Sequence, residues 1–123
     1  MRALIVDDSS FVREYLRHLL NRMGIASEEA ADGSVALEVL ATHQAGFDLM
    51  LLDVNMPVMN GLECVKALRQ ANLQPAMKVM IVTTEADNTF ILKALNNGAD
   101  EFLMKPFMLE SLREKMLLLG FAA

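Results

Sequence analysis

Several short apolar segments of the sequence end in polar residues of the types that phosphoryl and metal chemistry use. The first segment runs into Asp7 and Asp8, a later one ends at Asp53, and the last two end at Thr83 and Lys105. Two carboxylates about 4 Å apart repel by roughly 4 kcal/mol at an effective dielectric near 20, so three together raise their own pKa values or bind a cation. Oxygen ligands favour a hard ion such as Mg²⁺. If these residues converge, they predict a magnesium site suited to phosphoryl transfer, with a hydroxyl and an ammonium beside it.

Among the carboxylates, Asp53 is the best candidate for a nucleophile. It stands alone at the end of an expected central strand, whereas Asp7 and Asp8 form a pair that can hold the metal beside it. Each residue also has an ordinary alternative, because strand-end aspartates are often solvated or cap a turn. Thr83 is a typical strand residue, and Lys105 would normally be a surface charge. The functional interpretation therefore depends on these residues meeting at one place.

Alternating strands and helices are needed to bring these residues together. Short continuous apolar runs predict strands buried on both faces, at 4–6, 49–52, 79–82 and 102–104. The weaker run from Ser27 to Ala30 carries two glutamates and is expected at an exposed edge. Amphipathic stretches predict five helices between and after the strands. Their apolar stripes are Val12, Leu16, Leu19, Leu20 and Met23; Val35, Val39 and Leu40; Leu62, Val65 and Leu68; Ile91, Ala94 and Leu95; and Leu109, Leu112 and Met116.

Helix-end signals agree with this division of the chain. They are the capping pairs Asn60 with Glu63 and Thr84 with Asp87, and the glycines Gly24 and Gly98 at helix ends. Five β-α units predict an α/β fold with a doubly wound, five-stranded parallel sheet and helices on both faces. Right-handed crossovers place every strand-to-helix loop at one edge of the sheet. Ligands of such sheets bind at that edge, where the winding reverses.

Length and composition limit the classes of protein that the chain can be. It has 123 residues, of which 54% are hydrophobic, with a net charge of −5 and one cysteine. We expect one domain over residues 1–123, with the start at Met1 and no trailing linker favouring a complete single-domain protein. The acidic balance argues against nucleic-acid binding, and no apolar run is long enough to span a membrane. Cys64 cannot form an internal disulfide, which fits a reduced cytoplasmic location.

Five motifs occur in order at the expected strand-to-helix loops. They are Ile5-Val6-Asp7-Asp8-Ser9, Asp53-x-Asn55-Met56-Pro57-x-Met59-x-Gly61, Thr83-Thr84, Gly98-Ala99 and Lys105-Pro106-Phe107. With these motifs the chain resembles bacterial two-component response-regulator receiver domains of the single-domain chemotaxis type, over essentially its whole length. The resemblance implies a flavodoxin-like receiver architecture, with the strand order 2-1-3-4-5 that is already known for this family.

The resemblance implies a role for each residue of the acidic pocket. Asp53 is similar to the phosphoacceptor that receives a phosphoryl group from a phosphohistidine on a sensor histidine kinase. Mg²⁺ would be held by the side chains of Asp8 and Asp53, by Asp7 partly through water, and by the backbone carbonyl of Asn55. Asn55 and Glu85 lie at the positions that tune autodephosphorylation in the family.

The resemblance also implies a switch. Thr83 would hydrogen-bond the phosphoryl group, and Lys105 would pair with another phosphoryl oxygen. The bond between Lys105 and Pro106 is usually cis in the family. Phe102 lies where many relatives have a rotating tyrosine, and without a hydroxyl its inward state would depend on packing. The face of the fourth helix, fifth strand and fifth helix would then change its partner preference.

The function that the resemblance implies is a phosphorylation-activated switch, not an enzyme beyond its own phosphotransfer and autodephosphorylation. A downstream target, such as a flagellar motor switch, and a phosphatase are its expected partners, and the protein would be a monomer or a weak dimer. One alternative is a receiver module of a larger DNA-binding or methylesterase regulator. A remote alternative is a magnesium-dependent phosphohydrolase with an aspartate nucleophile, although such enzymes carry their nucleophile on the first strand. Nucleotide binders are weaker candidates, because no glycine-rich phosphate loop occurs.

Overall fold

A computed structural model describes residues 1–42, 46–56, 58–84 and 88–121. Strands and helices alternate along the described chain, as the sequence predicts. The strands are β1 (Arg2–Val6), β2 (Ala26–Ala30), β3 (Leu49–Asp53), β4 (Lys78–Thr83) and β5 (Glu101–Met104). The helices are α1 (Ser10–Arg22), α2 (Gly33–Thr42), α3 (Gly61–Gln70), α4 (Asn88–Asn96) and α5 (Leu109–Leu118). Among the described residues, no helix combines the length and the apolar character that crossing a membrane requires.

All five strands pair in parallel in one sheet with the order β2-β1-β3-β4-β5. The chain runs outward from β1 to β2 and then returns to β3 on the other side of β1. The winding therefore reverses between β1 and β3, where an open sheet of this type forms its ligand crevice. Asp7 follows the end of β1 and Asp53 ends β3, so both candidate acids lie at that crevice.

Alternating strand residues divide the core into two layers. One cluster packs strand residues against α2, α3 and α4, and the other packs them against α1 and α5. In β3, for example, Met50 and Leu52 belong to the first cluster, whereas Leu49 and Leu51 belong to the second. This explains the continuous apolar runs, because a strand covered by helices on both faces needs apolar residues at every position.

The strand at the far edge differs from the sequence prediction. The run 102–104 predicts burial on both faces, but in β5 only Leu103 is fully buried. β5 is an edge strand, and among the described strands only β4 pairs with it. The prediction for β2 is confirmed, since this glutamate-containing strand forms the opposite edge of the sheet.

The second helix is rotated relative to its predicted stripe. Val35 is 38% exposed, and the buried residues of α2 are Gly33, Ala36 and Leu40. A Cβ at Gly33 would lie 3.0 Å from the Cγ of Met59, so a small residue at that position permits close packing. The other stripes bury most of their members, with Val12, Met23, Leu62, Leu95 and Leu109 partly buried.

Helix ends follow the sequence signals where the structure describes them. The Asn60 side chain accepts a hydrogen bond from the Glu63 N–H at 2.9 Å, and Glu63 accepts one from the Asn60 N–H at 3.1 Å. This reciprocal pair is a capping box. Gly24 and Gly98 have φ values of 76° and 113°, the left-handed region that favours glycine. Of the second expected pair, Asp87 lies outside the described residues.

Candidate functional site

Strand register brings the predicted site residues to one edge of the sheet. Val6 pairs with Leu52, so the residues that follow, Asp7 and Asp53, lie side by side. Thr83 pairs with Met104, and Lys105 comes next in the chain. The Lys105 N–H donates to the Thr83 carbonyl at 2.6 Å, which extends the ladder by one residue. Four loops thus deliver their polar residues to the carboxyl end of the sheet.

Three carboxylates form the centre of the site. Asp7, Asp8 and Asp53 each offer one oxygen, and these oxygens all lie within 4.8 Å of one another. Asp7 and Asp53 are buried, whereas Asp8 is exposed. The cluster therefore opens toward solvent on the side of Asp8 and is closed by protein on the other side.

The Lys105 ammonium lies beside both buried carboxylates. Its Nζ is 3.3 Å from Asp53 Oδ1 and 3.5 Å from Asp7 Oδ2. The Lys105 side chain is 26% exposed, against 2% for Asp7 and 8% for Asp53. The lysine thus reaches from the rim into a pocket where its charge is only partly screened by solvent. The peptide bond between Lys105 and Pro106 is cis, the geometry that the resemblance implies.

Burial changes the titration of the two inner acids. It raises the pKa of Asp53 to about 6, with a further increase from the charge of Asp7, whereas Lys105 lowers that pKa. Burial also raises the pKa of Asp7, against the hydrogen bond from the Ser9 backbone and the charge of Lys105. Desolvation disfavours the charged form of each carboxyl. A cation bound among these oxygens would offset that cost.

The donor set fits Mg²⁺. Among the described residues, Asp7 Oδ2 is a buried oxygen that accepts no hydrogen bond, and its 3.5 Å separation from Lys105 is an ion pair only. Carboxylate oxygens around an open position match the ligand type of a hard divalent ion that keeps several waters. Asn55, whose carbonyl the resemblance implies as a further ligand, lies in the loop after β3 and is exposed.

The remaining predicted residues lie around this centre in different ways. Thr83 is 1% exposed and its Oγ1 donates to the Thr84 carbonyl at 3.2 Å. Phe102 is partly buried, on the same face of the sheet as the α2, α3 and α4 layer. Glu85 lies outside the described residues. Cys64 is fully buried, and burial raises the pKa of its thiol to about 12, which fits an inert residue of the core.

The structure adds a residue that the sequence analysis did not single out. The Arg13 guanidinium donates to the Asp7 carbonyl at 2.6 Å and to Glu29 Oε1 at 3.0 Å. Arg13 therefore connects α1 and the edge strand β2 to the backbone of the acidic loop. Its position in α1 is visible in the sequence, but its partners lie in other elements, and its contact with Glu29 depends on the packing of α1 against β2.

Comparison with known proteins matches this chain over almost its whole length. The family model described as the response regulator receiver domain matches residues 3–117. The chain is 37% identical over 117 residues to the chemotaxis protein CheY of Pseudomonas aeruginosa, covering 94% of this chain and 93% of that one. It is 35% identical over 116 residues to a CheY homologue of Campylobacter jejuni, covering 94% and 89%.

A solved structure gives the same result for the fold. The chemotaxis protein CheY4 of Vibrio cholerae superposes with a TM-score of 0.81 at 37% identity, covering 95% of this chain and 96% of that one. This match confirms the flavodoxin-like architecture that the resemblance implies. The chain belongs to the response regulator receiver family, whose members are signalling domains that act as phosphorylation switches in two-component systems.

Proposed function

We propose that Asp53 accepts a phosphoryl group from a phosphohistidine on a sensor histidine kinase. The observation that carries the proposal is the placement of Asp53 at the reversal of winding, with two further carboxylates and the Lys105 ammonium around it. An Asp53 carboxylate oxygen attacks the phosphorus, and the bond from phosphorus to the donor imidazole nitrogen breaks. The acyl phosphate that results carries more negative charge than the carboxylate did.

Mg²⁺ would be held by Asp8 and Asp53, by Asp7 partly through water, and by the backbone carbonyl of Asn55. The ion, when bound, neutralises charge that builds up on the phosphoryl oxygens. Asp7 and Asp8 supply the negative charge that retains it. The half-open pocket, with Asp8 exposed and Asp53 buried, leaves one side from which a phosphodonor can reach the acceptor.

Lys105 and Thr83 act on the phosphoryl group after it arrives. Lys105 already lies 3.3 Å from the acceptor carboxylate, so its ammonium can follow the negative charge from the carboxylate to a phosphoryl oxygen. The Thr83 hydroxyl now donates to a neighbouring carbonyl and can donate to the phosphoryl group instead. Asn55 and Glu85 would tune the self-catalysed loss of the group, with no other catalytic activity.

The switch is read on the face of α4, β5 and α5. Thr83 moves toward the phosphoryl group, and Phe102 moves into the space that it leaves. Phosphorylation thus biases a two-state element through local charge and packing. The similarity to chemotaxis proteins favours a target in the flagellar motor switch, a phosphatase that ends the signal, and a cytoplasmic location.

The extent of the domain and its oligomeric state are inferred independently of the phosphoryl chemistry. We infer that residues 1–123 act as one receiver domain, as a monomer or a weak dimer, and that a role as a module of a larger regulator is the alternative. The family match over residues 3–117 supports a single unit. Size-exclusion chromatography with light scattering, before and after phosphorylation, tests the oligomeric state.

Intact-mass spectrometry after incubation with acetyl phosphate tests the acceptor. We expect one phosphoryl addition that requires Mg²⁺ and is lost in Asp53→Asn. Asp48→Asn is a matched control, because Asp48 is an exposed carboxylate that precedes the same strand at its opposite end. The proposal is wrong if Asp53→Asn is modified as the control is. Sustained turnover of p-nitrophenyl phosphate would instead favour the phosphohydrolase alternative.

A further inference from the structure

Glu101, Phe102 and Lys115 form a closed cluster between β5 and α5. Glu101 Oε1 accepts a hydrogen bond from the Phe102 backbone N–H at 3.0 Å and lies 3.2 Å from the Lys115 ammonium. The same Lys115 Nζ lies 4.0 Å from the centroid of the Phe102 ring. Each member therefore contacts the other two. We refer to these three residues as the Phe102 clamp.

We propose that Lys115, held in place by Glu101, is a positioning residue that selects one orientation of the Phe102 ring. An ammonium within about 6 Å of a ring centroid is attracted to the negative face of the ring. The side chains of Glu101 and Lys115 are only 18% and 24% exposed, so solvent screens these charges less than it screens fully exposed ones. A phenylalanine has no hydroxyl, and the cation supplies the directional contact that a hydrogen bond could supply to a tyrosine.

The clamp lies where ring orientation matters for signalling. Phe102 pairs with Ile81 of β4, and both contact the same core cluster. Thr83, two residues after Ile81, shares that face of the sheet because strand side chains alternate. The ring is thus a diagonal neighbour of the threonine that the proposed function assigns to phosphoryl sensing.

The direction of the effect follows from linkage, and this step rests on the proposed function. A ring that moves toward Thr83 leaves the Lys115 ammonium behind. The clamp therefore stabilises the present ring orientation and opposes the switch. Since coupling is reciprocal, weakening the clamp should let a phosphoryl analogue bind at a lower concentration.

Three lysine variants separate the clamp from general charge effects. Lys115→Met removes the charge and keeps a long side chain, whereas Lys115→Arg keeps a cation that can lie over the ring. Lys93→Met is the matched control, because Lys93 Nζ lies 6.0 Å from the ring of Phe90 on α4. Glu101→Gln weakens the Phe102 clamp without changing Lys115. The glutamine can still accept a hydrogen bond from the Phe102 N–H, but it lacks the charge that holds Lys115.

Two measurements are made on each variant. Side-chain NMR of ring-labelled phenylalanine gives the Phe102 rotamer ratio in the free protein, and a titration with beryllofluoride and Mg²⁺ gives the binding midpoint. We expect Lys115→Met to change the rotamer ratio by about two- to fivefold and to lower the midpoint by a similar factor. Glu101→Gln should shift both in the same direction, and Lys115→Arg and Lys93→Met should remain near the unsubstituted protein.

The two proposals fail in different ways. If Lys115→Met has the same Phe102 rotamer ratio as Lys93→Met, the clamp does not position the ring. If the unsubstituted protein binds no beryllofluoride, the proposed phosphoryl chemistry is wrong, while the rotamer ratio of the free protein still tests the clamp. An unchanged midpoint together with an altered rotamer ratio would overturn the linkage between the clamp and the switch.

Discussion

The Cα of Gly61 lies directly against the backbone carbonyl of Asp53, so a Cβ at position 61 would be 2.6 Å from that oxygen. The same Cβ would be 3.0 Å from the Cα of Val54. Gly61 is the first residue of α3, and its N–H donates to the Val54 carbonyl at 3.0 Å. The absence of a side chain thus lets the start of α3 pack against the backbone of Asp53, the proposed phosphoacceptor.

Gly61→Ala should therefore disturb both stability and the site. We expect a loss of about 1–3 kcal/mol in the free energy of unfolding, because backbone atoms must move to admit the methyl group. Phosphorylation by acetyl phosphate should also slow. Gly24→Ala is the control: it carries a conformational cost of about 1–2 kcal/mol at a positive φ but meets nothing within 4 Å. Equal phosphorylation rates in the two variants would contradict the steric argument.

The stability of the metal-free protein should depend on pH through Asp53. The folded-state pKa of about 6 lies above the unfolded value of 3.8, so the folded state binds the proton more tightly. Stability is therefore highest below about pH 4 as far as this group is concerned, and it falls as the pH rises toward 6 and above. At pH 7 the raised pKa of Asp53 lowers the free energy of unfolding by about 3 kcal/mol. The raised pKa of Asp7 lowers it further.

Urea unfolding at pH 4.5 and pH 7 checks this dependence. The side chain at position 53 of Asp53→Asn carries no charge at either pH. The free energy of unfolding of this variant, relative to that of the unsubstituted protein, should therefore increase as the pH rises. Mg²⁺ should reduce this difference in stability at pH 7, because a bound cation neutralises the carboxylate charge of the unsubstituted protein. A difference in stability that is the same at both pH values would show that the pKa of Asp53 is the same in the folded and unfolded states.

Lys105→Met should raise the pKa of Asp53 above about 6, since the lysine is the nearby charge that lowers this pKa. The reason is that three carboxylates would then share the pocket without the Lys105 ammonium. Carboxyl-carbon NMR of labelled aspartate, followed as a function of pH, measures the value directly. Lys78→Met, an exposed lysine at the start of β4, should leave the titration of Asp53 unchanged, and a shift of similar size in both variants would contradict a local effect.

Arg13 and Arg17 offer a matched test of the residues around the proposed Mg²⁺ site. Both pair with Glu29, at 3.0 Å and 2.8 Å, but Arg13 also donates to the Asp7 carbonyl. Arg13→Gln should weaken Mg²⁺ binding by about tenfold, the lower end of the effect of residues that hydrogen-bond to metal-binding residues. Arg17→Gln should leave it nearly unchanged.

Mg²⁺ titrations followed by amide NMR of the Asp7 loop measure both affinities. If both variants bind Mg²⁺ equally weakly, the effect comes from the lost ion pair with Glu29 of β2 and not from the contact with the Asp7 carbonyl. If neither variant binds Mg²⁺ more weakly, Arg13 does not support the proposed Mg²⁺ site.

Much of the fold and of the site follows from local patterns. The apolar runs identify the strands, and the capping box of Asn60 and Glu63 marks the start of α3. Asp7, Asp53 and Lys105 are found because each directly follows such a run, and Asp8 is found because it is next to Asp7. A parallel sheet with right-handed crossovers then brings these residues to one edge, so their convergence needs no knowledge of side-chain packing.

Features that depend on the neighbours of an element were not predictable in the same way. The half-exposure of β5 depends on its edge position, and the rotation that exposes Val35 depends on how closely Gly33 approaches Met59. The contacts of Arg13 with Asp7 and Glu29 and of Lys115 with Phe102 join separate elements. The amino-acid sequence is thus enough to predict the strands, the helices and the acidic edge, because these follow from which residues are polar, apolar or conformationally permissive. The distances, burial and charges around Asp53 and Phe102 come from the packing of separate elements against one another, and local patterns carry no information about that packing.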